Sequence, residues 1–588
     1  MSAFLSSGSL NPEQLQAVQH RDGHLLIAAG AGTGKTHTLA CRAASLIADG
    51  LLPFQIVLVT FTNAAAQEIK SRVRALINRG ELITAGTFHS LAFRLLVRHG
   101  HLIGLEEFSV LDRSESESLL TFLRKELKIV LPKEVKSRKI AELISYEANT
   151  HTLLADLCES HQLLKEHTGA VLALQEAYFA YKRENALLDY DDLLWSLLEL
   201  SEGHPETVRA YRQVMTDEFQ DVSPVQVSLL RAFAAAGACL TAVGDPCQSI
   251  YAFRGAVPSV MSDFAEEFSC AQVVLHRNYR SGQQVLDYAN RVIRNCPGLI
   301  RHDLRSEGLS GSEPQVLDFQ TETEEAFHLA AAVRSLLDNG VAPEQIALLY
   351  SASQHSLAVQ MELTKLRVPF LTKGGLRLHD TAHVRDMLAL LRLSIDPQCG
   401  ISRRRVLTLI PGIGEKTAAK ISLSSEKVPA KARARFQALL KTLTAMRQLS
   451  TAETWAAAFR WYEPLISRAH HRHELEEVGR ACADSLTVCH FLADMALDSA
   501  AEEDGAGKVC LSTVHSAKGR EWDHVFVIGL AEGRFTSAQP GTEDFHEAVR
   551  LFYVACTRCR KHLRITVPLF CRNHDRNYRR SGLSALLV

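Results

Sequence analysis

The chain has 588 residues, of which 46% are hydrophobic and 22% are charged, and its formal net charge at pH 7 is −1. A single domain rarely grows beyond about 250 to 300 residues, so this length predicts several domains. The composition excludes a disordered chain. Because the opening MSAFLSSGSLNPEQ lacks a basic and apolar leader, and apolar runs of about 18 residues are absent, we expect a cytoplasmic protein with no membrane partner. Local clusters of Lys and Arg leave DNA open as a partner despite the small net charge.

Thirteen cysteines are scattered along the chain without the regular spacing of a disulfide framework. We therefore expect reduced thiols. Cys556 and Cys559 form one CxxC pair, with His562, Cys571 and His574 nearby. A zinc or iron–sulfur site is an alternative interpretation here, but the third and fourth ligands lack a suitable spacing, so we expect no such metal.

In chain order, the first strong signal is an apolar run, LLIAA at 25–29, followed by a glycine-rich loop and the helical stretch HTLACRAASLIA. This order predicts strand, loop and helix. Four more apolar runs predict buried strands, at Ile56–Thr60, Val214–Asp217, Leu240–Gly244 and Ile346–Tyr350, with a fifth at Val525–Leu530. Strands that are apolar throughout and alternate with helices are typical of parallel sheets covered on both faces.

Two long stretches carry amphipathic helical patterns without a strong strand. We therefore predict an α/β fold with two parallel-sheet lobes, each interrupted by a mainly helical insertion. The first lobe comprises 1–90 and 206–280 around an insertion at 91–205. The second comprises 281–385 and 507–588 around an insertion at 386–506.

The sequence AGAGTGKT at 29–36 is typical of a phosphate-binding loop whose first glycine is replaced by alanine. Glycines allow successive backbone N–H groups and the following helix N-terminus to face one anion. We expect Lys35 to neutralise the β- and γ-phosphates and the Thr36 hydroxyl to bind Mg²⁺. The loop residues predicted to hold the nucleotide are Ala29, Gly30, Ala31, Gly32, Thr33, Gly34, Lys35 and Thr36.

A second apolar run ends in two acids, Asp217 and Glu218. Alone they would most often be a solvated strand end, but with a phosphate-binding loop in the same chain they form a candidate catalytic pair. We expect Asp217 to hold the Mg²⁺ shell and Glu218 to orient and deprotonate the attacking water. The sequence therefore predicts a nucleoside triphosphatase that uses ATP and Mg²⁺.

A set of further motifs spans nearly the whole chain. They are LNPEQ (10–14), TFTNAAAQEI (60–69), AGTFHS (85–90), LDYDDLL (188–194), TDEFQD (216–221), VGDPCQSIYAFRGA (243–256), LHRNYRS (275–281), GGLR (374–377), PGIGEKT (411–417), LSTVHSAKGREWDHVFVIGLAEGRF (511–535) and EAVRLFYVACTR (547–558). In this order they resemble the motif set of the UvrD/Rep/PcrA-like branch of superfamily 1 DNA helicases. The resemblance implies two RecA-like lobes with ATP and Mg²⁺ between them.

Position by position, the resemblance implies roles for residues around the nucleotide. Gln14 would read the adenine, Tyr279 would stack on it, and Glu521 would hold the ribose. Gln248 would sense the γ-phosphate. Arg280 and Arg558 resemble two arginine fingers supplied by the second lobe, which with Lys35, Asp217 and Glu218 complete the predicted catalytic set.

The same resemblance implies a channel for single-stranded DNA and 3′→5′ travel along it. Aromatic faces accept any base, which suits sequence-independent movement. The glycines of PGIGEKT resemble an element that touches the duplex backbone. The predicted DNA-binding residues are Phe61, Thr62, Asn63, His89, Tyr251, Phe253, Arg254, Gly412, Gly414, Thr513 and His515.

The chain departs from the family pattern at several positions. His37, predicted to contact the nucleotide, stands where relatives usually have Arg, and Phe253 replaces a Trp. Ser351 and Leu357 occupy positions where relatives carry DNA-contacting arginines. Glu547 is followed by Ala548 instead of a second glutamate. No phosphate-handling residue is lost, so ATP hydrolysis should persist.

We therefore expect an ATP-dependent helicase that moves on single-stranded DNA and unwinds tailed duplexes. Two alternatives use the same motifs: a translocase that strips proteins from DNA, and an ATP-switched subunit of a nuclease or defence complex. The complete hydrolytic set disfavours the switch, which needs no turnover.

Overall fold

The computed structural model describes residues 10–77, 80–132, 134–150, 152–296, 303–373, 382–423, 428–466, 485–497, 507–572, 578–580 and 585–587, with a few residues between 472 and 483. The GGLR motif at 374–377 and His574 lie outside these residues. No helix among the described residues is both long and apolar enough to cross a lipid bilayer.

The strands, labelled β1 to β17 in chain order, are Leu25–Ala29, Ile56–Val59, Thr84–Gly86, Ser109–Val110, Leu187–Leu188, Gln213–Thr216, Cys239–Gly244, Ala271–Leu275, Arg277–Asn278, Arg305–Ser306, Gln315–Thr321, Ile346–Tyr350, Phe370–Lys373, Val509–Thr513, Trp522–Val527, Cys559–Arg572 and Tyr578–Arg580.

The α-helices, labelled α1 to α22 in chain order, are Pro12–Gln19, Lys35–Ala48, Asn63–Leu76, Phe88–His99, Arg113–Glu126, Ser137–Thr150, Leu154–Ser160, Thr168–Glu184, Tyr190–Gly203, Pro224–Ala235, Val260–Glu267, Gln283–Ile293, Glu322–Asp338, Leu357–Lys365, Ala382–Ile395, Gly400–Thr408, Glu415–Ala418, Arg433–Met446, Thr451–Tyr462, Val488–Leu497, Val514–Ala517 and Glu543–Cys556.

The first sheet has six parallel strands in the order β3-β2-β6-β7-β1-β8. Every residue of β1, β2 and β6 is buried, which explains why β1 and β2 are apolar throughout instead of alternating, whereas β6 begins with the buried Gln213 and ends with the buried Thr216. Because the strands are parallel, β1 and β6 end at the same edge of the sheet. The glycine-rich loop after β1 and the acidic pair after β6 are thereby brought to that edge.

The second sheet joins β11, β16, β15, β12, β14 and β13 in that order, all parallel, with β17 antiparallel to β16. Its central strand β12 is fully buried. The predicted fold class, two parallel-sheet α/β lobes interrupted by helical insertions, is confirmed. The fifth predicted strand is shifted: it covers Trp522–Val527, three residues earlier than the apolar run suggested.

The chain divides into two compact units. One contains both sheets and is built from 1–87, 208–375 and 501–588, and the other is built from 88–207 and 376–500. Among the described residues of the second unit, the regular elements are helices apart from β4 and β5, which pair in parallel and which the sequence did not predict. Its two segments are far apart in sequence, yet they contribute to one hydrophobic core that runs from Leu111 to Leu492.

Specific contacts join the two segments of the helical unit. The Arg392 guanidinium forms a buried ion pair with Glu115. Arg404 places its guanidinium 3.5 Å from the centroid of the Phe122 ring, a cation–π contact. Lys125 and Glu415 add an exposed ion pair at 3.2 Å. The two insertions therefore form one packed body.

We predict that Arg392→Met destabilises this shared core while Lys125→Ala does not. Removing Arg392 leaves the Glu115 carboxylate poorly solvated, which should lower the free energy of local opening by about 2 to 3 kcal/mol. The Lys125–Glu415 pair is solvent-exposed, so its loss should cost less than about 0.5 kcal/mol. Hydrogen–deuterium exchange of α5 and α15 amides measures both effects. Equal protection in the two variants would contradict the prediction.

Candidate nucleotide and DNA site

The glycine-rich loop curls between β1 and α2 as a phosphate cradle. Gly34 adopts φ +83°, a left-handed conformation that places it directly before the first turn of α2. The Thr33 hydroxyl donates to the Gly30 carbonyl at 2.9 Å and fixes the turn. Lys35 and Thr36 begin the helix, so their side chains lie beside the N–H groups of its first turn.

The acidic pair faces this cradle. The Thr36 hydroxyl donates to Asp217 Oδ2 at 3.5 Å, and Lys35 Nζ lies 3.7 Å from Glu218 Oε2. Glu218 has φ +51°, a left-handed backbone conformation that is uncommon for a residue other than glycine. A hydroxyl and a carboxylate oxygen at this separation fit the hard-oxygen ligand set that Mg²⁺ prefers. Thr36 and Asp217 are thus suited to hold the predicted Mg²⁺.

The two carboxylates differ in protonation. Burial and the neighbouring Glu218 raise the pKa of Asp217 to about 7. Burial also acts to raise the pKa of Glu218, but the charges of Lys35 and Lys518, with a further contribution from Arg558, outweigh it and lower the pKa to about 2. Glu218 is therefore ionised at neutral pH, as a general base must be.

A buried polar network connects the acidic pair to Gln248. Gln220 donates to Glu218 Oε2 at 2.7 Å and accepts from the Asp245 N–H at 2.8 Å. Gln248 donates to Asp245 Oδ2 at 2.7 Å and accepts from Arg558 Nη2 at 3.0 Å. The glutamine predicted to sense the γ-phosphate is thus in direct contact with one of the two predicted arginine fingers.

Arg280 lies where the chain passes from the first sheet to the second. The Ser281 hydroxyl donates to the Cys559 carbonyl of β16 at 2.6 Å, which ties this segment to the second sheet. There is no room for a side chain at Gly32, because a Cβ there would meet Arg280 Cβ at 2.7 Å. The guanidinium contacts Glu521 and donates to the Thr557 carbonyl at 3.2 Å.

Arg558 is fully buried beside these groups. Burial and the nearby Arg280 guanidinium lower the pKa of Arg558 to about 9. Arginine remains charged in proteins, so such a shift marks a cluster of buried positive charge that an anion would relieve. The chemistry of the glycine-rich loop, the acidic pair and the two arginines together is suited to a polyanionic phosphate group with a divalent cation.

Gln14 and Tyr279, the residues predicted to contact the adenine, both lie beside the glycine-rich loop. Gln14 Nε2 donates to the Thr33 carbonyl at 3.0 Å. The Tyr279 ring is 46% exposed, its hydroxyl accepts from Asn11 Nδ2 at 2.9 Å, and its N–H donates to the Gly32 carbonyl at 2.9 Å. An exposed aromatic face held against the loop is suited to stack on a base.

Four of the predicted DNA-binding residues form one aromatic cluster. Phe61 stacks on Tyr251 with ring centroids 4.9 Å apart, and Tyr251 also contacts Phe253 at 5.8 Å and His515 at 5.9 Å. Phe253 and His515 meet edge to face at 5.9 Å. Phe253 remains 58% exposed. The cluster joins residues that follow strands of both sheets and presents an aromatic surface to solvent.

The comparisons with known proteins agree with this geometry. The model of the UvrD/REP helicase N-terminal domain matches residues 10–269, and that of the UvrD-like helicase C-terminal domain matches 273–448 and 433–568. The chain belongs to the UvrD/REP helicase family. It is thus an ATP-hydrolysing DNA helicase by family, and this prediction is confirmed.

Curated relatives cover most of the chain. The ATP-dependent DNA helicase PcrA of Staphylococcus aureus strain MRSA252 is 28% identical over 616 residues, which span 96% of this chain and 84% of that protein. The ATP-dependent DNA helicase PcrA of Staphylococcus epidermidis strain ATCC 12228 is 29% identical over 612 residues, spanning 95% and 83%.

Other predicted residues of the UvrD/REP set have local structural contacts. Thr62 and Thr513 cap helices through their hydroxyls, accepting from the Ala65 and Ser516 N–H groups at 3.2 Å. Asn63 begins α3. Arg254 ends a short 3-10 helix, but its side chain lies outside the described part of the chain.

Three predicted DNA-binding residues belong to the helical unit. The His89 ring meets Tyr190 edge to face at 5.6 Å. Gly412 adopts φ +94°, and Gly414 precedes the first turn of α17. Their roles remain predictions.

Two departures from the family pattern have a structural setting. His37 lies 3.6 Å, through Nε2, from Cys41 Sγ one helical turn later, and burial lowers the pKa of His37. Ser351 donates to the Arg534 carbonyl at 3.3 Å. At both positions, a shorter side chain that contacts nearby atoms stands where relatives have the long, positively charged side chain of arginine.

Sequence analysis missed three residues that complete the site. Asn278 Nδ2 donates to the Ala31 carbonyl at 2.6 Å, Gln220 forms part of the buried network, and Lys518 pairs with Asp221. All three stand inside quoted motifs, HRNYRS, TDEFQD and HSAKGREW. Their position inside these motifs was the sequence signal that could have identified them as site residues. Among the described residues, His, Cys, Asp and Glu side chains form no group of three or more placed to hold a metal.

We predict that a divalent cation competes with a proton for Asp217. Its pKa is raised to about 7, so below pH 7 the carboxyl is protonated and must lose that proton to bind a cation. Mn²⁺ affinity of the nucleotide-free protein should rise about tenfold from pH 5 to pH 6 and level off above pH 8. The electron paramagnetic resonance signal of free Mn²⁺ measures it.

Two variants serve as controls for this pH profile. Asp217→Asn should weaken Mn²⁺ binding and remove its pH dependence. Asp221→Asn removes a buried carboxyl that pairs with Lys518 instead, so it should keep the profile. A wild-type affinity that is flat between pH 5 and pH 8 would contradict the prediction.

Proposed function

We propose that this protein moves 3′→5′ along single-stranded DNA and unwinds duplexes that carry a single-stranded tail, hydrolysing ATP with Mg²⁺ as its cofactor. One observation carries the proposal. Arg280 and Arg558, both held by segments of the second sheet, lie beside the glycine-rich loop and the acidic pair of the first sheet. A nucleotide bound there would contact both sheets at once.

In the proposed mechanism, Lys35 neutralises the terminal phosphates and Glu218 takes the proton from the attacking water. Mg²⁺, held by Thr36 and Asp217, would polarise the phosphate oxygens. Gln248 senses the γ-phosphate, and Arg280 and Arg558 stabilise the charge that spreads over the transferring phosphoryl group. Fixed cations of this kind contribute roughly 10³ to 10⁵ in rate.

Movement would follow from the loss of a bridging group. The triphosphate favours the arrangement in which cations of the second sheet contact it, and hydrolysis with phosphate release removes those contacts. The two lobes would then part. If each lobe holds the DNA strand in turn, one cycle of closing and opening moves the protein along it.

A chain of contacts supports coupling between the nucleotide and the strand. Lys518 Nζ donates to the Gln248 carbonyl at 2.9 Å and lies 5.2 Å from the centroid of the Tyr251 ring. The Tyr251 hydroxyl donates to the His515 carbonyl at 3.4 Å. A shift of Gln248 on phosphate release would therefore reach the aromatic cluster through two direct contacts.

The deciding experiment compares duplexes with a 3′ tail, a 5′ tail and no tail, read by separation of a fluorescent strand. We expect ATP-dependent unwinding from the 3′ tail, and ATP hydrolysis stimulated about tenfold or more by single-stranded DNA, equivalent to about 1.4 kcal/mol of coupling. Lys35→Ala and Glu218→Gln should abolish turnover while DNA binding persists. Unwinding by either variant would refute these roles.

The same assay separates the alternatives. Stimulated hydrolysis with displacement of streptavidin from biotinylated single strands, but without unwinding, would identify a translocase. DNA binding with no stimulated hydrolysis would favour the ATP-switched subunit. Unwinding from the 5′ tail alone would contradict the proposed polarity.

We predict that Phe253→Ala uncouples hydrolysis from DNA. Loss of one stacking face should weaken binding to single-stranded DNA by about 1 to 3 kcal/mol and lower the stimulated ATPase rate, while the rate without DNA stays unchanged. Phe253→Trp, which restores the larger ring of relatives, should retain or strengthen stimulation. Stimulation by DNA that is unchanged in Phe253→Ala would refute the stacking role.

A further inference from the structure

Glu521, the residue expected to hold the ribose, is hydrogen-bonded by two arginines. Arg280 contacts its Oε2 atom, and Arg560 donates from Nε to its Oε1 atom at 3.1 Å, with a second contact from Nη2. Arg560 follows the predicted finger Arg558 by two residues and is the second residue of strand β16. The mechanism proposed above gives Arg560 no role.

The position of Arg560 distinguishes it from its neighbours. Its side chain is 40% exposed, and it also lies 3.8 Å from Asp523, whose other oxygen pairs with Lys561 at 2.8 Å. The Arg560 carbonyl accepts from the Gly282 N–H at 2.9 Å, so its backbone is fixed to the segment that carries Arg280. Arg560 and Arg280 are therefore anchored together, on opposite oxygens of one carboxylate.

We propose that Arg560 is a positioning residue for the nucleotide sugar, which holds Oε1 of Glu521 so that only Oε2 is shared between Arg280 and a ribose hydroxyl. This inference rests on the proposed role of Glu521. An arginine and a carboxylate prefer to pair through two parallel hydrogen bonds. Without Arg560, both oxygens of Glu521 become available to Arg280, which would hold the finger away from the phosphates.

The arrangement also keeps Glu521 charged once the nucleotide arrives. Burial acts to raise the pKa of Glu521, and the charges of Arg280 and Arg560 together lower it instead. When Arg280 turns to the phosphates, Arg560 remains as the counter-ion. The carboxylate then stays ionised and accepts a hydrogen bond from the sugar.

The test measures sugar selectivity in the full-length protein with saturating single-stranded DNA. The readout is kcat/KM for ATP divided by kcat/KM for 2′-deoxy-ATP and, separately, for 3′-deoxy-ATP. We expect the wild type to prefer ATP over at least one analogue by about tenfold or more. Arg560→Ala should reduce that ratio to about one and lower kcat for ATP, whereas Arg560→Lys should restore part of the ratio.

Lys561→Ala is the matched control, because it removes the adjacent cation that pairs with Asp523 and should keep the wild-type ratio. An unchanged ratio in Arg560→Ala would overturn the inference, and so would an equal loss in Lys561→Ala. A merely structural role would lower kcat for all three nucleotides in proportion and leave the ratio intact.

The Glu521→Gln variant distinguishes the positioning role of Arg560 from the ribose-binding role of Glu521 on which it rests. If Glu521→Gln removes sugar selectivity but Arg560→Ala does not, the ribose role stands and the positioning role fails. If Glu521→Gln leaves selectivity intact, or the wild type shows none, both the ribose role and the positioning role are wrong. The helicase activity itself is judged by the tailed-duplex assay.

Discussion

The arrangement of the site depends on buried positive charge that has to be compensated. Lys35, Arg280, Arg558 and Lys518 surround the glycine-rich loop and the acidic pair, and each has a partner within the protein: Glu218, Glu521, Gln248 and Asp221. A buried charge without a partner costs several kcal/mol. In the proposed mechanism, an entering triphosphate would exchange these contacts for its own, so nucleotide binding would be coupled to rearrangement of the site.

The folding of the two sheets makes this exchange possible. Parallel strands bring their carboxyl ends to one edge, where the loop after β1 meets the acids after β6. Segments bound to β16 bring Arg280 and Arg558 to the same place. Lys518 and Arg558 belong to segments of the second sheet, whereas their partners Asp221 and Gln248 follow strands of the first sheet, so a change in these two pairings would also change the relation of the sheets. In the proposed mechanism, this is the physical basis on which ATP hydrolysis drives motion.

Many strands and much of the candidate phosphate site could be predicted from the sequence, because their signals lie in short stretches of the chain. Runs such as LLIAA and IALLY predicted strands buried on both faces, and AGAGTGKT predicted the cradle with its helix. Residues such as Asp217 and Glu218 are neighbours in the chain and need only one strand to place them. The family motifs extended this to Arg280 and Arg558, whose chemistry has no local signal.

What the sequence did not reveal depends on contacts between distant segments. Asn278 reaches a carbonyl 247 positions earlier, and Lys518 pairs with an acid 297 positions earlier. The periodicity of hydrophobic residues carries no information about which residues so far apart in the chain will pair. The start of β15 was placed too late because the polar residues Asp523 and His524 separate Trp522 from the apolar run that begins at Val525. The common core of the insertions was missed for the same reason: each helix shows an apolar face but not what covers it.

That common core limits the mechanics of the molecule. The helical unit is linked to the sheet-bearing unit by four chain crossings, near residues 87, 207, 375 and 500, two for each interrupted lobe. Separating the two insertions would expose the apolar surface of that core, at a cost of about 25 cal/mol per Å². The two insertions come from separate stretches of the chain, yet they would therefore respond to a change at the nucleotide site as a single body.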